Sequence, residues 1–369
     1  MNTDRAVELQ EYAWTLQAEG RLDEAFKACR EALQLIEADE GPDSPDAANI
    51  LNDLAEIEKE RQNFEAAVAL AERARAILDA LGDRFTGETA MLIRLRTLNL
   101  LGEIRRVQGD YACAEVDLDR ALTTAVGEFG DVSEEAAEAR NNLAVLYKYW
   151  GRFKEARRLY EEALRVITAI HGASSLEAGV IFHNIGGVLH AQGDFSAAEE
   201  PGRKAWDISR QLLGEDDTRT VIDASAYASI LDGLERYDES ETIYRHALTV
   251  LQRAFGPDHY EVAANLHNLA AVLAVRGHLV EAEQHYRRAL EVKDTLLGEE
   301  SPDAALTRNN LGRLLNQAGR PGEGVPLLQK AVTILEKRLA PEHPHLAAAR
   351  RNLQEALSSL SVTRQDSPC

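Results

Sequence analysis

Asparagine stands in adjacent pairs at Asn141-Asn142 and Asn309-Asn310, and each pair belongs to two longer columns. One column reads Asn52, Asn99, Asn141, His183, Ser225, His267 and Asn309. The next reads Asp53, Asn142, Asn184, Asn268, Asn310 and Asn352, interrupted by Leu100 and Ala226. A carboxamide offers two N–H donors and a carbonyl acceptor. These complement the C=O and N–H groups of an extended polypeptide, so a ladder of them can grip a peptide whatever its sequence. Selectivity is then left to neighbours on the same face: Lys148, His190, Arg313 and Asn316. Helix propensity does not explain the columns, because Asn is a mediocre helix former. The competing reading is that each Asn bonds the adjacent repeat and serves packing alone, which the paired residues at 141–142 and 309–310 cannot both do easily.

Histidine invites a metal reading. His183 and His190 lie seven residues apart, with His267 two repeats away. A catalytic zinc needs three protein ligands converging on one point, and ligands separated by a whole repeat do not converge, so no metal is expected. His171, His259 and His343 fall in turns. No HExxH, GxSxG, Walker A or strand-to-helix GxGxxG occurs, and Gly322-Glu323-Gly324 follows no strand. Glu134-Glu135, Glu161-Glu162 and Glu299-Glu300 read as solvated faces or as charge placed against helix dipoles. No catalytic residue and no cofactor is therefore expected; the chain is not read as an enzyme.

The elements that must carry the ladder are set by a repeat. Glycine recurs at Gly20, Gly109, Gly151, Gly193, Gly277 and Gly319 on a 42-residue period, with Gln62 and Glu235 in the two vacancies and one step of 47. Twelve residues after each stands an alanine: Ala32, Ala74, Ala121, Ala163, Ala205, Ala247, Ala289 and Ala331. A fixed period of this size marks a stacked-repeat solenoid. In the block at Gly151, Leu143, Leu146 and Tyr147 define a first helix, which the glycine stops in a left-handed cap. A second amphipathic run, Phe153 to Ile170, ends at His171-Gly172. Small residues seven before and five after the glycine let helix axes approach closely. The ladder lies ten and nine residues before the glycine, on one face of the first helices.

Residues His345 to Leu360 repeat the first-helix pattern but place Gln354 where earlier repeats have Ala or Gly, as a capping helix with no outer neighbour requires. Residues 1–360 are thus expected to form one continuous array, with 361–369 a disordered tail. The five extra residues before Asn99 and the missing glycine at Glu235 are where the stacking is expected to deviate most.

Composition agrees with an all-α chain: aromatics are only 6% and Ala, Leu, Glu and Arg dominate. The net charge of −21 argues against nucleic acid, whose phosphates require a basic footprint. It suits a basic partner and equally serves as a solvated exterior. No apolar run is long enough to span a membrane, the N-terminus lacks a secretory apolar stretch, and Cys29, Cys113 and Cys369 form no pair, so a cytoplasmic location is expected.

The small–large–glycine–aromatic–alanine pattern resembles the tetratricopeptide repeat. RNNLAVLYKYWGRFKEARRLYEEALRV, HNLAAVLAVRGHLVEAEQHYRRALEV and the Gly256-Pro257-Asp258-His259 loop are similar to the kinesin-light-chain-like subclass with 42-residue repeats. The resemblance covers about residues 4 to 360. It implies an all-α, alpha-alpha superhelix, a right-handed solenoid of eight helix-turn-helix repeats plus a C-terminal capping helix. It also implies a concave groove that holds extended peptides. The carboxylate-clamp version of that groove needs Lys and Arg where this chain has Val180, Ile222, Ala264 and Gly187, so a free C-terminus is not the expected ligand. The function expected is a protein- or peptide-binding adaptor, with a regulatory or substrate-presenting subunit of a separate enzyme as the alternative.

Overall fold

The computed structural model describes residues 2–339, 341 and 343–365, and among these it contains helices and no strand. The helices alternate as first and second members of eight pairs. They are α1 (Asn2–Ala18), α2 (Leu22–Glu40), α3 (Pro45–Glu60), α4 (Phe64–Leu81), α5 (Glu88–Gln108), α6 (Tyr111–Phe129), α7 (Glu134–Trp150), α8 (Phe153–His171) and α9 (Leu176–Ala191). There follow α10 (Phe195–Leu213), α11 (Thr218–Gly233), α12 (Tyr237–Phe255), α13 (Tyr260–Val275), α14 (Leu279–Leu297), α15 (Pro302–Gln317), α16 (Pro321–Arg338) and the unpaired α17 (Pro344–Gln365). The expected all-α solenoid of eight helix pairs with a terminal helix is what the chain forms.

Each pair turns at its glycine. Gly20 has φ 74°, its N–H bonds Gln17 O and the following N–H of Arg21 reaches back to Leu16 O, both at 2.9 Å. This is the Schellman closure, which needs one residue in the left-handed region. The two vacancies adopt it as well, Gln62 at φ 61° and Glu235 at φ 60°. Glu235 N–H bonds Asp232 O at 3.0 Å and Arg236 N–H bonds Leu231 O at 2.9 Å, so the turn there keeps the shape of its glycine counterparts. The side chain bears a strain that glycine lacks. Gln62→Gly and Glu235→Gly are therefore each expected to raise unfolding free energy by about 1 kcal/mol in urea titrations. An unchanged midpoint in both variants would show that the left-handed turn costs nothing here.

First helices begin on a column of side-chain caps. Ser175 Oγ accepts from Ala178 N–H at 3.1 Å, Asp217 Oδ1 from Arg219 N–H at 2.8 Å, and His259 Nδ1 from Glu261 N–H at 3.2 Å. Such caps satisfy amides that have no partner within the helix. His259, expected to be an ordinary turn residue, thus does a serine's work.

The five extra residues of the third repeat go mainly into α5, which opens one turn earlier than its counterparts, after a single 3-10 turn at Gly82–Arg84. Arg94 Nη2 holds that connection by bonding Gly82 O at 3.2 Å. At the other end, α17 runs to Gln365, so residues 361–365 are helical where a disordered tail was expected; 366–369 lie outside the described residues. Gln354 is exposed on this last helix, as a cap requires.

Close packing groups the chain into two compact units, Met1–Tyr149 and Trp150–Cys369. In the first, Leu16, Leu51, Leu54 and Leu78 are buried at the centre of one cluster and Leu101 and Ile104 of another. In the second, Tyr244 and Tyr286 are fully buried among Leu269, Leu273 and Leu311. The small columns work by backbone approach: a β-carbon on Gly324 would lie 2.6 Å from Gly312 O.

Candidate functional site

The ladder residues sit on the first helices, but the structure divides them by what they touch. In the column ten before the turn, four members reach the next repeat at its position twelve before the turn. Asn52 Nδ2 donates to Thr97 Oγ1 at 2.8 Å, and His183 Nδ1 lies 2.8 Å from Asp223 Oδ1. Ser225 Oγ accepts from Asn265 Nδ2 at 2.8 Å, and His267 Nδ1 lies 2.9 Å from Thr307 Oγ1. These bonds staple one first helix to the next. Asn52 is fully buried, so its carboxamide serves packing and is not presented to a ligand.

The last repeats join their staples into one relay. Asn352 Nδ2 donates to Asn309 Oδ1 at 3.0 Å, and Asn309 Nδ2 to Asn310 Oδ1 at 3.1 Å. Asn310 Nδ2 meets His267 Nε2 at 3.1 Å. An amide N–H can only donate, so Nε2 accepts, and the proton on Nδ1 is given to Thr307 Oγ1. That hydroxyl passes its own proton to Asp303 O at 3.2 Å. The relay requires neutral imidazole. Burial supplies it, pushing the His267 pKa down to about 3, with the Lys293 charge helping. Both ring nitrogens of His267 are committed to this chain.

The remaining ladder residues are half-buried. Asn142 accepts a long bond from Asn141 Nδ2 at 3.4 Å, and Asn184 lies one position after His183 on α9. Asn268 makes no hydrogen bond within the described protein. Of the four residues assigned to selectivity, Lys148 and Arg313 are half-buried on α7 and α15. His190 packs edge-on against Phe195 at 5.3 Å, and Asn316 carries a buried Oδ1 without a partner. Among the described residues no group of three His, Cys, Asp or Glu side chains could hold a metal.

Sequence reasoning passed over the partners of the staples. Thr97, Asp223, Asn265 and Thr307 are polar and buried at a helix–helix contact where other repeats carry Ile50, Ala139, Ile181 and Ala349. Reading position twelve of one repeat against position ten of the repeat before it would have found them. It also shows where a staple is missing. Asn99 faces the repeat that carries Ala139, and its Oδ1 is buried without a partner.

That site opens into a cavity of about 490 Å³ in the first unit, lined by α3, α5, α6 and α7. Its walls include Leu92, Leu95 and Val145, and its polar groups include Asn99, Asn142, Glu135 and Glu138.

Comparison with known proteins accords with this architecture. A tetratricopeptide repeat family model matches residues 6–80, 94–169, 151–211 and 220–295, and a second tetratricopeptide repeat model matches 304–345. A clustered mitochondria protein homolog of Debaryomyces hansenii is 30% identical over 139 residues, 38% of this chain and 10% of that one. The mitochondrial tetratricopeptide repeat protein 19 homolog of Drosophila melanogaster is 29% identical over 120 residues, 32% of each chain. The chain thus spans from a tenth to a third of these relatives' length. Among solved structures, BtubC (BKLC) from P. vanneervenii superimposes with a TM-score of 0.52 at 22% identity, over 64% of this chain and 92% of that one. Apo RapI gives 0.60 at 15% identity over 79% and 98% of the two chains. A Rap protein complexed with competence and sporulation factor gives 0.56 at 15% identity over 98% and 99%. At these identities the likeness is one of fold. With the family models covering most of its length, the chain belongs to the tetratricopeptide repeat family.

Proposed function

We propose that this protein is a non-catalytic adaptor that holds an extended segment of a partner along the ladder face of its first helices. The observation that carries the reading is the difference between neighbouring columns. Position ten is largely committed to stapling repeats, whereas Asn268 at position nine has a half-buried carboxamide with no partner among the described residues. Asn is a mediocre helix former, and the Asn268 polar atoms are not among the buried ones, so a helix that keeps an unbonded carboxamide within reach of solvent there is better explained by a ligand than by packing. The Rap complex supports the reading, since a chain of this fold there holds a bound factor.

Selection of binding peptides from a random display library on the full chain, followed by hydrogen exchange with the selected peptide, tests it. Added protection is expected on α9, α13 and α15, with α10, α14 and α16 unchanged. Protection confined to the second helices, or no selectable peptide, would overturn the proposal.

A further inference from the structure

We infer that the cavity between α3, α5 and α7 is a specificity pocket for a basic side chain, lysine or arginine, of a segment held on the first helices of the first unit. The inference rests on the peptide-binding reading and adds to it which side chain is chosen and where.

Three observations on the cavity converge. The first is its size: about 490 Å³ falls within the ~300–1,000 Å³ typical of ligand sites, far above what a packing defect leaves. Its wall includes Leu92, an exposed leucine near the start of α5.

The second is charge. Arg96, on the rim, is already paired with Asp53 at 2.5 Å and Glu56 at 3.0 Å, and Glu103 takes Lys59 at 2.9 Å. Arg106 stacks over the Tyr149 ring at 4.5 Å. Glu135 and Glu138 stand on one face of α7, three residues apart, and neither makes an ion pair among the described residues. Two neighbouring carboxylates without a cation repel each other, and an ammonium or guanidinium placed between them relieves that repulsion.

The third is the missing staple. Ala139 leaves Asn99 Oδ1 buried in the same cavity with no donor. A turn of the Asn99 side chain, which no staple holds, would bring its carboxamide to the main chain of an extended segment. The cavity therefore presents an unstapled carboxamide at Asn99, an apolar wall of Leu92, Leu95 and Val145 for an aliphatic stem, and two carboxylates for a cationic head. Long basic side chains have that two-part character. An acidic side chain would instead add a third negative charge.

The test uses the full chain and an arrayed panel of blocked heptapeptides with varied flanks. Each peptide is made with lysine, norleucine or glutamate at its centre and measured by fluorescence anisotropy. Lysine peptides are expected to bind about tenfold more tightly than their norleucine analogues, the size of one charge-assisted hydrogen bond. Glutamate peptides should bind more weakly still. In the double variant Glu135→Gln, Glu138→Gln, the lysine advantage should fall to about twofold or less while the norleucine peptides bind as before. If peptides bind but lysine gives no advantage, or if the advantage survives the double variant, the pocket assignment is overturned and the groove reading stands. If no member of the panel binds, the groove reading falls and the pocket with it.

Discussion

Replacing Asp117 by alanine is expected to lower the unfolding free energy by about 3 kcal/mol, the largest loss anticipated for any single side chain here. Asp117 lies on α6 and is 1% exposed. Its carboxylate bonds Arg105 from α5, and it accepts from Arg75 of α4 at 3.2 Å. Glu72 of α4 closes the square by pairing with both arginines. Three helices from two adjacent repeats are thereby tied through one buried charge. Its removal leaves two guanidiniums facing a single carboxylate in a site that water enters poorly, which is why breaking a buried pair costs more than the pair contributes. The Arg75 side chain is still 31% exposed and can turn toward solvent, so the loss belongs at the low end of the ~3–5 kcal/mol seen for such breaks. Urea unfolding of Asp117→Ala measures it. A loss below about 1 kcal/mol would mean that the cluster behaves as a surface network.

Two glycines in one helix turn should respond to alanine with opposite signs. Gly324→Ala is expected to destabilise by about 2 kcal/mol, because its β-carbon would lie 2.6 Å from the Gly312 carbonyl oxygen and backbone cannot yield without separating α15 from α16. The gain in helix propensity, about 1 kcal/mol, is too small to reverse that. At Gly322 the nearest atom to a β-carbon is Leu360 Cδ1 at 3.9 Å, an ordinary contact. Gly322→Ala keeps the propensity gain without the clash and should stabilise by a few tenths to about 1 kcal/mol. Melting curves of the two variants decide this, and shifts of the same sign would contradict the close approach.

The helices and turns were legible because each boundary is written in residues with a local reason: a glycine where φ must be positive, a Ser, Asp or His where an amide needs a cap. The columns of small residues were legible for the same reason, since a backbone contact admits little else. What the sequence concealed are contacts across repeats. The staple from Asn265 to Ser225 joins residues 40 apart, and neither column looks structural until it is set against the neighbouring repeat. The Asp117 cluster belongs to no column, so no periodic reading could find it. The end of α17 was misplaced because residues 361–365 contain neither glycine nor proline to stop the helix; Pro368 comes later. Nothing in the period marks the boundary between the two units, which falls at the turn of the fourth pair.

The stapling of position ten sharpens the ladder hypothesis into a contrast between two asparagines. Asn52 is buried and bonded to Thr97, whereas Asn268 is half-buried and bonded to nothing among the described residues. The measurement that tests the account most directly is peptide affinity and melting temperature, taken together, on Asn52→Ala and Asn268→Ala. Asn268→Ala is expected to weaken binding of a selected peptide by about 0.5–1.5 kcal/mol, two- to twelvefold, without lowering the melting temperature. Asn52→Ala is expected to destabilise the fold by about 1–2 kcal/mol, by leaving Thr97 with one partner fewer, and to change affinity little. If Asn268→Ala lowers the melting temperature and leaves affinity intact, or alters neither, the ladder is packing throughout and its face is not where this protein binds.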